Sequence, residues 1–259
     1  MTENYTTVTE LPGNQITREQ LARLYQRYRF AQQFCNNREV LELACGGGMG
    51  LGYLAKVAKR VVGGDIDKNI LKHPIEYYKG REKIEIREFN AQNLPFENKS
   101  FDVVILYEAI YYLKDPEKFV SEAHRVLKDK GVLLICTANK NWTDFNPSPY
   151  STKYLSAPEL YSLMNNNFSK VELFGAFSVT NKGGIKNRMT SFIKRTAISL
   201  NLMPKTMKGK AIFKRLFFGQ LIALPPEIEE GLADYSPPIP ISSDCPNSEY
   251  KVLFSVAFV

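Results

Sequence analysis

A cluster of three glycines follows a short apolar segment near the start of the chain. Residues 40–43 form the apolar run, which Glu42 interrupts, and the glycines at 46–48 come before a helix-forming segment at residues 51–58. Glycine lacks the Cβ atom that keeps a ligand away from the backbone, and it adopts backbone angles that other residues avoid. The pattern predicts a strand, a tight turn and a helix, with backbone N–H groups that face a nucleotide-like ligand.

An acidic residue follows the glycines at the distance that a ribose-binding site requires. Residues 60–67 predict a second strand, and its Asp65 lies 17 positions beyond Gly48. In dinucleotide-binding folds, an acid about 20 residues beyond the glycines accepts hydrogen bonds from the ribose hydroxyls. Nicotinamide sites prefer the pattern G-x-G-x-x-G, whereas residues 42–48 begin with an acid and place three glycines in a row. The acid-first pattern therefore argues against a nicotinamide cofactor.

Several motifs in the first half of the chain resemble those of one enzyme family. Residues 42–48 resemble motif I of the class I S-adenosylmethionine-dependent methyltransferases, and Asp65 resembles the acid of the next motif. Ala44 stands where that family usually has a glycine. Residues 89–96 resemble the family's G-D-A-x-x-L-P-F sequence, with Asn90 where an Asp commonly meets the adenine amino group. The resemblance, which is to the small-molecule, methyltransferase-11-like members, covers residues 39–137 and includes the segments 100–105, 115–128 and 131–135.

The resemblance implies S-adenosylmethionine as the cofactor and S-adenosylhomocysteine as its product. The two outer glycines would let the backbone approach the cofactor, and Glu42 would support the turn or bind the methionine amine. Asp65 would bind the ribose hydroxyls, so that its substitution by Ala weakens cofactor binding with little loss of folding. The expected cofactor-binding residues are Glu42, Ala44, Gly46, Gly48, Asp65, Ile66, Asn90, Ala91, Tyr107, Tyr28 and Arg29.

Alternating strands and helices predict a Rossmann-like, doubly wound α/β sheet of mostly parallel strands. Ligands of such sheets bind beyond the carboxyl ends of the strands, here the segments that follow residues 103–106 and 132–136. An oxygen nucleophile needs a general base, whereas an amine must only arrive unprotonated. The candidate catalytic residues in these segments are Glu108, Tyr111 and Asp144. Two histidines and four scattered cysteines form no metal-binding pattern, so no metal site is predicted.

Residues 1–37 predict an N-terminal helical lid. Thr17 and Gln20 have the spacing of a capping box, and apolar residues recur behind them at helical spacing. Two interpretations stay open. The helix either covers the sheet as ordinary packing, or it closes the cofactor site with Tyr28 or Arg29 near the methionine end.

An insertion separates the last two predicted strands. These strands, at residues 171–177 and 250–259, are about 70 residues apart, whereas hairpin loops usually have about two to five. The predicted methyltransferase domain therefore comprises residues 38–181 and 250–259, and residues 182–249 form a basic helical insertion with a proline-rich strap. Ten basic residues and no acidic ones lie between Lys182 and Arg215, so the rest of the chain has a net charge of +7 − 10 = −3.

The basic segment has three interpretations: a solvated helical cap on the sheet, a contact with an anionic membrane, or a contact with an anionic acceptor. Aromatic residues do not alternate with these charges as stacking platforms would, so no nucleic-acid partner is expected. No apolar run approaches the ~20 residues that span a bilayer, and the polar N-terminus lacks a signal-peptide core. The expected location is the cytoplasm, with peripheral contact to the inner face of the membrane through residues 182–217 as an alternative.

The predicted function is methyl transfer from S-adenosylmethionine to an oxygen or nitrogen nucleophile. The expected acceptor is a small metabolite or a sugar-containing glycoconjugate precursor, whose anionic part lies near the basic insertion. Two alternatives come from other classes: a non-catalytic binding module of the same fold docked on a membrane surface, and a nicotinamide-dependent oxidoreductase. A binding comparison of S-adenosylhomocysteine with NADH would distinguish the methyltransferase from the oxidoreductase.

Overall fold

The computed structural model describes residues 5–179 and 221–259, which contain ten strands and five α-helices. The elements, in chain order, are β1 (Gln15–Ile16), α1 (Arg18–Gln32), β2 (Glu39–Leu43), α2 (Leu51–Ala55), β3 (Arg60–Asp65), α3 (Lys68–Tyr77), β4 (Ile84–Glu88), β5 (Phe101–Tyr107), α4 (Pro116–Val126), β6 (Leu127–Ala138), α5 (Ala157–Asn165), β7 (Lys170–Ser178), β8 (Ile222–Ala223), β9 (Ile239–Pro240) and β10 (Tyr250–Phe258). The ten basic residues of the predicted insertion lie outside the described residues.

Eight of the strands form one sheet in the order β4-β3-β2-β5-β6-β10-β7-β9. The strands from β4 to β6 run parallel, whereas β10 pairs antiparallel with both β6 and β7. The chain runs from β2 outward to β4 and then crosses to β5 on the other side of β2. Because this reversal opens a crevice at the carboxyl ends of β2 and β5, the topology places a ligand site between them. The predicted Rossmann-like, mostly parallel fold is confirmed.

Each face of the sheet carries its own hydrophobic cluster. Alternate residues of β2, Val40 and Leu41, face opposite clusters, and the same alternation separates Val103 from Val104 in β5. The central strands are buried on both sides, which explains why they are nearly continuous apolar runs in the sequence. Helices α1 and α2 cover one face, and α4 and α5 cover the other.

Helix α1 begins where its capping residues predict. The Thr17 side chain accepts a hydrogen bond from the Gln20 backbone, and the Gln20 side chain accepts one from the Thr17 backbone. The helix buries Leu24, Tyr28 and Ala31 at a spacing of four and three residues, which is one face of a helix. Helix α1 packs against α2, so it lies over the strand–turn–helix segment that contains the glycines.

The proline-rich strap, residues 224–249, packs on the same face of the sheet as α1 and α2. Leu224 and Ile228 are buried in it, and the backbone N–H of Ile228 donates to the Met49 carbonyl at 2.9 Å. Glu230 accepts hydrogen bonds from the hydroxyls of Tyr25 and Tyr53, which fixes the strap to α1 and α2. Among residues 5–179 and 221–259, no helix is long and apolar enough to cross a membrane.

Candidate functional site

The turn after β2 has a left-handed backbone at three positions. The angle φ is +52° at Ala44, +56° at Gly46 and +72° at Gly48. A Cβ atom added to Gly48 would lie 2.5 Å from Cβ of Pro74 in α3, so glycine is required there by the space as well as by the angle. At Ala44 the left-handed angle costs roughly 1–2 kcal/mol, and strain of this kind concentrates at ligand sites.

Asp65 at the end of β3 is tied to this turn. Its carboxylate accepts a hydrogen bond from the Gly46 backbone N–H at 3.1 Å and another from the Asp67 N–H at 3.1 Å. Burial raises the pKa of Asp65, and the two backbone donors act in the opposite direction. The carboxylate therefore orients the glycine turn and also lies at the cavity wall, where further donors can reach it.

Glu42 lies in β2, buried to 2% exposure at the centre of the crevice. The Tyr28 hydroxyl donates to one of its oxygens at 2.5 Å, which joins α1 to the sheet. Its second oxygen, Oε2, is buried with no hydrogen-bond partner among the described residues. Burial raises the pKa of Glu42 to about 7, against the opposing effects of Tyr28 and Arg27. A buried carboxylate oxygen of this kind suits a ligand that brings an ammonium group.

Arg27 is a site residue that the sequence interpretation missed. It lines the cavity, and its side chain, 11% exposed, has its guanidinium 3.5 Å from the Glu10 carboxylate. Burial alone would lower the pKa of Arg27, but the nearby carboxylates of Glu108 and Glu10 outweigh burial and raise the pKa above its ordinary value. The available signal was its position in the buried stripe of α1, three residues after Leu24, where a charged residue needs a reason.

The position expected for Arg29 is corrected by the structure. Arg29 is not among the described residues that line the cavity. Its guanidinium instead lies 3.4 Å from Glu230 and over the ring of Tyr235, both in the strap. The physical reason is helical geometry, because residues two positions apart in a helix point about 200° apart around its axis, so Arg29 and Arg27 face different neighbours.

A cavity of about 1050 Å³ joins these groups at the carboxyl ends of the strands. One end is formed by the residues after β3 and β4, the middle by the glycine turn and α1, and the other end by the segment after β5. The lining residues that bear on the argument are Tyr5, Glu10, Arg23, Arg27, Tyr28, Glu42, Ala44, Gly46, Gly47, Asp65, Ile66, Asn90, Ala91, Tyr107, Glu108, Tyr111, Tyr112 and Ser148. We call the first end, at residues 65–69 and 88–92, the nucleoside end, and the last, at residues 107–114, the acceptor end.

The nucleoside end contains four of the predicted residues, one of which is Asp65. Ile66, Asn90 and Ala91 all line the cavity, because β3 and β4 are parallel neighbours and end at the same edge of the sheet. Ile66 is 55% exposed, which leaves an apolar surface on which a flat ring could pack. The Asn90 side-chain oxygen accepts a hydrogen bond from the Gln92 backbone at 2.9 Å, which holds this short turn.

At the acceptor end, Glu108 follows β5 with a left-handed backbone, φ +52°. The Tyr111 hydroxyl donates to its carboxylate at 3.1 Å, and the Tyr111 ring stacks on Tyr154 with centroids 4.2 Å apart. Burial raises the pKa of Glu108, while Arg27 and Arg23 act to lower it. A partly buried carboxyl with a raised pKa and a hydrogen bond that orients it has the properties of a general base.

Two other predicted residues differ in their placement. Tyr107 lines the cavity, with its ring against that of Tyr28 at 5.8 Å and its hydroxyl buried without a hydrogen-bond partner among the described residues. Asp144 is buried, but it is not among the described residues that line the cavity. Ser148 of the same loop lines the cavity, whereas Asp144 does not, and Glu108 and Tyr111 both line it and are joined by a hydrogen bond. Within residues 5–179 and 221–259, no group of acidic, histidine or cysteine side chains is placed to hold a metal ion.

The cavity fits an S-adenosylmethionine-like molecule on its own geometry. Gly46 and Gly47 have no side chain and place backbone on the cavity wall, Asp65 can accept from ribose hydroxyls, and the unpaired Oε2 of Glu42 can accept from an ammonium group. The guanidinium of Arg27 can bind a carboxylate. These groups lie between the nucleoside end and the acceptor end, where the amino-acid part of the cofactor would be required.

The sequence of this region matches known methyltransferases. Residues 41–135 match the family model described as a methyltransferase domain. A protein of Mycolicibacterium smegmatis, named a probable S-adenosylmethionine-dependent methyltransferase, is 38% identical over 144 residues, which are 53% of this chain and 54% of the relative. The chain spans about half the length of the curated relatives it matches first. The family and these names support S-adenosylmethionine as the cofactor.

Solved structures of low sequence identity share the fold. The YcgJ protein of Bacillus subtilis has a TM-score of 0.57 at 16% identity, with 93% of this chain and 98% of that chain covered. The [4+2]-cyclase SpnF has a TM-score of 0.57 at 13% identity, with 92% and 80% covered. Likenesses at this identity bear on the fold alone, and the cyclase shows that the fold accommodates more than one reaction.

Proposed function

We propose that this chain, a member of the class I S-adenosylmethionine-dependent methyltransferase family, transfers a methyl group to an oxygen or nitrogen nucleophile of a small acceptor. The acceptor we propose is a small metabolite or a sugar-containing glycoconjugate precursor. One observation carries the proposal: the glycine turn and the partly buried Glu108 carboxyl line the same cavity, about 1050 Å³ in volume. A cofactor held at the turn would thus share that cavity with a candidate base.

The residues proposed to hold the cofactor follow from their geometry. Asp65 would accept hydrogen bonds from the ribose hydroxyls, and the free oxygen of Glu42 would accept from the methionine ammonium. Arg27 would pair with the methionine carboxylate in place of Glu10. The remaining proposed contacts are with the backbone at Ala44 and Gly46, with the adenine at Ile66, Asn90 and Ala91, and with the methionine at Tyr28 and Tyr107. The contact predicted at Gly48 is not proposed, because Gly48 packs on Pro74 of α3 and is not among the described residues that line the cavity.

The bound cofactor supplies an electrophilic methyl group on a sulfonium, so the protein's main task is to align a nucleophile and exclude water. For a hydroxyl acceptor, the acceptor oxygen forms a bond to the methyl carbon as the carbon–sulfur bond breaks. Its proton moves to the Glu108 carboxylate, which Tyr111 holds in place through its 3.1 Å hydrogen bond. An amine acceptor would need Glu108 only to position it in its neutral form.

The walls of the acceptor end support a small, ring-containing acceptor. The cavity is lined by five tyrosines, and three of them, Tyr5, Tyr111 and Tyr112, surround this end. Tyrosine combines a flat apolar face with a hydroxyl, which suits sugar rings and aromatic rings alike. The anionic part of the acceptor and the peripheral membrane contact through residues 182–217 remain proposals that rest on the charge of a segment outside the described residues.

The test is methyl transfer from S-adenosylmethionine labelled in its methyl group. The purified protein is incubated with separate panels of sugar-containing precursors, hydroxylated metabolites and amines, and both label transfer and S-adenosylhomocysteine formation are measured. We expect the two to appear together with a hydroxyl or amine acceptor. S-adenosylhomocysteine binding without turnover on any panel would instead favour the non-catalytic binding module, and that module predicts salt-sensitive binding to anionic liposomes.

A further inference from the structure

Two arginines one helical turn apart line the same cavity. Arg23 and Arg27 are four residues apart in α1, so their side chains lie on the same face of the helix, which faces the sheet. Their side chains are 26% and 11% exposed. Two guanidinium groups close together in a partly enclosed cavity repel each other unless anions compensate them.

The anions supplied by the protein compensate Arg23 only in part. Its terminal nitrogen lies 2.5 Å from Glu19, but Glu19 also binds Lys251 at 2.8 Å, so one carboxylate serves two cations. The Nε atom of Arg23 is buried and has no hydrogen-bond partner among the described residues. A buried guanidinium N–H without an acceptor is unfavourable, and a ligand oxygen would satisfy it.

The position of Arg23 directs it to the acceptor end. Arg27 is next to Tyr28, which donates a hydrogen bond to Glu42, whereas Arg23 lies one turn earlier in α1, beside Phe177 at the end of β7. Both arginines act on Glu108 and on Cys136 beneath it. The cofactor's single carboxylate would be matched by Arg27, which leaves Arg23, in the same cavity as Glu108, with a buried N–H that has no acceptor among the described residues.

The Arg23 guanidinium also lies over an aromatic ring. Its central carbon lies 5.4 Å from the centroid of the Phe177 ring, at the end of β7. Phe177 itself has a left-handed backbone, φ +57°, which turns its ring toward α1. A guanidinium that contacts a ring and is paired at one terminal nitrogen has less freedom to turn, which favours recognition of an anion by its remaining donors.

We propose that Arg23 binds an acidic group of the acceptor, a carboxylate or a phosphate, and so orients the acceptor nucleophile toward Glu108. This inference rests on the proposed methyl transfer and narrows its substrate class to acidic small molecules. It also assigns the recognition of the anion to α1, where the sequence alone had suggested the basic insertion. Arg23 acts here as a specificity residue, because it contacts the acceptor and leaves the cofactor to other groups.

The experiment uses three probes of matched shape: benzoate, phenyl phosphate and uncharged benzamide. Each is titrated into the protein saturated with S-adenosylhomocysteine, and again into the protein without it. We expect at least one anion to bind about tenfold more tightly than benzamide, which is about 1.4 kcal/mol. The better anion then tells whether the acidic group is a carboxylate or a phosphate.

The variants decide whether Arg23 is responsible. Arg23→Gln should abolish the preference for the anion, and Arg23→Lys should retain part of it, with the affinity for S-adenosylhomocysteine within about twofold of the parent. The control is Arg18→Gln, which removes an exposed arginine at the start of the same helix, away from the cavity, and should change nothing. An anion preference that survives in Arg23→Gln, or no preference in the parent, would overturn the inference. If the parent protein does not bind S-adenosylhomocysteine, that result counts against the proposed function. The probe titrations done without S-adenosylhomocysteine still test the role of Arg23.

Discussion

The polar side chains at the two ends of the cavity are held in place by different kinds of contact. At the nucleoside end, polar side chains are held by the backbone: Asp65 accepts from the N–H groups of Gly46 and Asp67, and Asn90 accepts from the N–H of Gln92. At the acceptor end, side chains contact other side chains: Tyr111 donates to Glu108 and stacks on Tyr154, and Tyr112 hydrogen-bonds to Ser148 at 2.5 Å. A side chain held by backbone groups keeps its contacts when neighbouring residues are substituted, whereas a side chain held by other side chains loses a contact when one of them is replaced.

This difference separates what is shared from what is specific. The nucleoside end suits a cofactor that is the same in every member of a family, and the acceptor end can be adapted to one acceptor. Substitutions at the two ends should therefore affect different measurements: affinity for the cofactor at one end, and turnover or acceptor choice at the other.

The largest effect is expected at the acceptor end, from Glu108→Gln. With a hydroxyl acceptor, loss of the general base should lower the rate of methyl transfer about 100- to 10,000-fold, while S-adenosylhomocysteine affinity stays within about twofold. Because burial raises the pKa of Glu108 and the base must be ionised, the parent rate should rise with pH through that raised pKa and then level. The control is Glu117→Gln, an exposed carboxylate in α4. An unchanged rate would contradict the role of base and favour an amine acceptor.

The corresponding substitution at the other end is Asp65→Ala. Removal of a charged acceptor for the ribose hydroxyls should weaken S-adenosylhomocysteine binding about 100-fold by calorimetry, since hydrogen bonds to charged groups are worth about 1.5–3 kcal/mol each. The melting temperature should fall by a few degrees, because Gly46 and Asp67 each lose an acceptor. Asp129→Ala, at an exposed ion pair with Lys99, is the control. Unchanged affinity would remove Asp65 from the cofactor site.

Glu42 should link cofactor binding to protons. Its pKa of about 7 means that it is largely protonated in the free protein at pH 6, and an ammonium ligand favours the ionised form. Binding should therefore release protons at pH 6, and affinity should fall about tenfold from pH 7.5 to 6. Calorimetry in buffers of different ionisation enthalpy measures the release. Glu42→Gln should abolish it, and proton release that persists in this variant would assign it to another group.

The same ionisation makes a prediction for stability. Because the folded-state pKa of Glu42 lies above its unfolded value, the stability linked to this group is complete below about pH 4.5 and is lost as the pH rises through about 7.

The smallest effect is expected from Glu10→Gln. The Glu10 carboxylate lies 3.5 Å from Arg27 and would compete with the cofactor's carboxylate for that guanidinium. Its neutralisation should tighten S-adenosylhomocysteine binding about two- to fivefold, a size typical of partly exposed ion pairs. Glu97→Gln, at an exposed position away from the cavity, should have no effect. Weaker binding in Glu10→Gln would mean that Glu10 holds Arg27 in place and does not compete.

The contrast between the two ends also explains how much the sequence could reveal. Glu42, the glycines and Asp65 lie within 24 residues, and the strand–turn–helix order that joins them is local, so pattern and spacing were sufficient. The paired strands at either end of the long insertion were found from their apolar runs, and their antiparallel partnership follows from the structure. The capping box of α1 was likewise a local signal.

The acceptor end was beyond this kind of inference. Arg23, Glu108 and Ser148 come together only because α1, the end of β5 and the loop after β6 meet at one edge of the sheet. Asp144 lies in that same loop and was an equally reasonable candidate from sequence, yet it is not among the described residues that line the cavity, whereas Ser148 is. The choice between Arg27 and Arg29 depended on the rotation of α1, which the apolar stripe indicated and the prediction did not use.

The central claim is that the crevice between β2 and β5 is an S-adenosylmethionine site. Calorimetric titration of the purified protein with S-adenosylhomocysteine, with NADH as the control ligand, tests it most directly. The account predicts micromolar binding of S-adenosylhomocysteine alone, with the affinity lost in Asp65→Ala and kept in Asp129→Ala. Binding of NADH in its place, or equal affinity in the two variants, would contradict it.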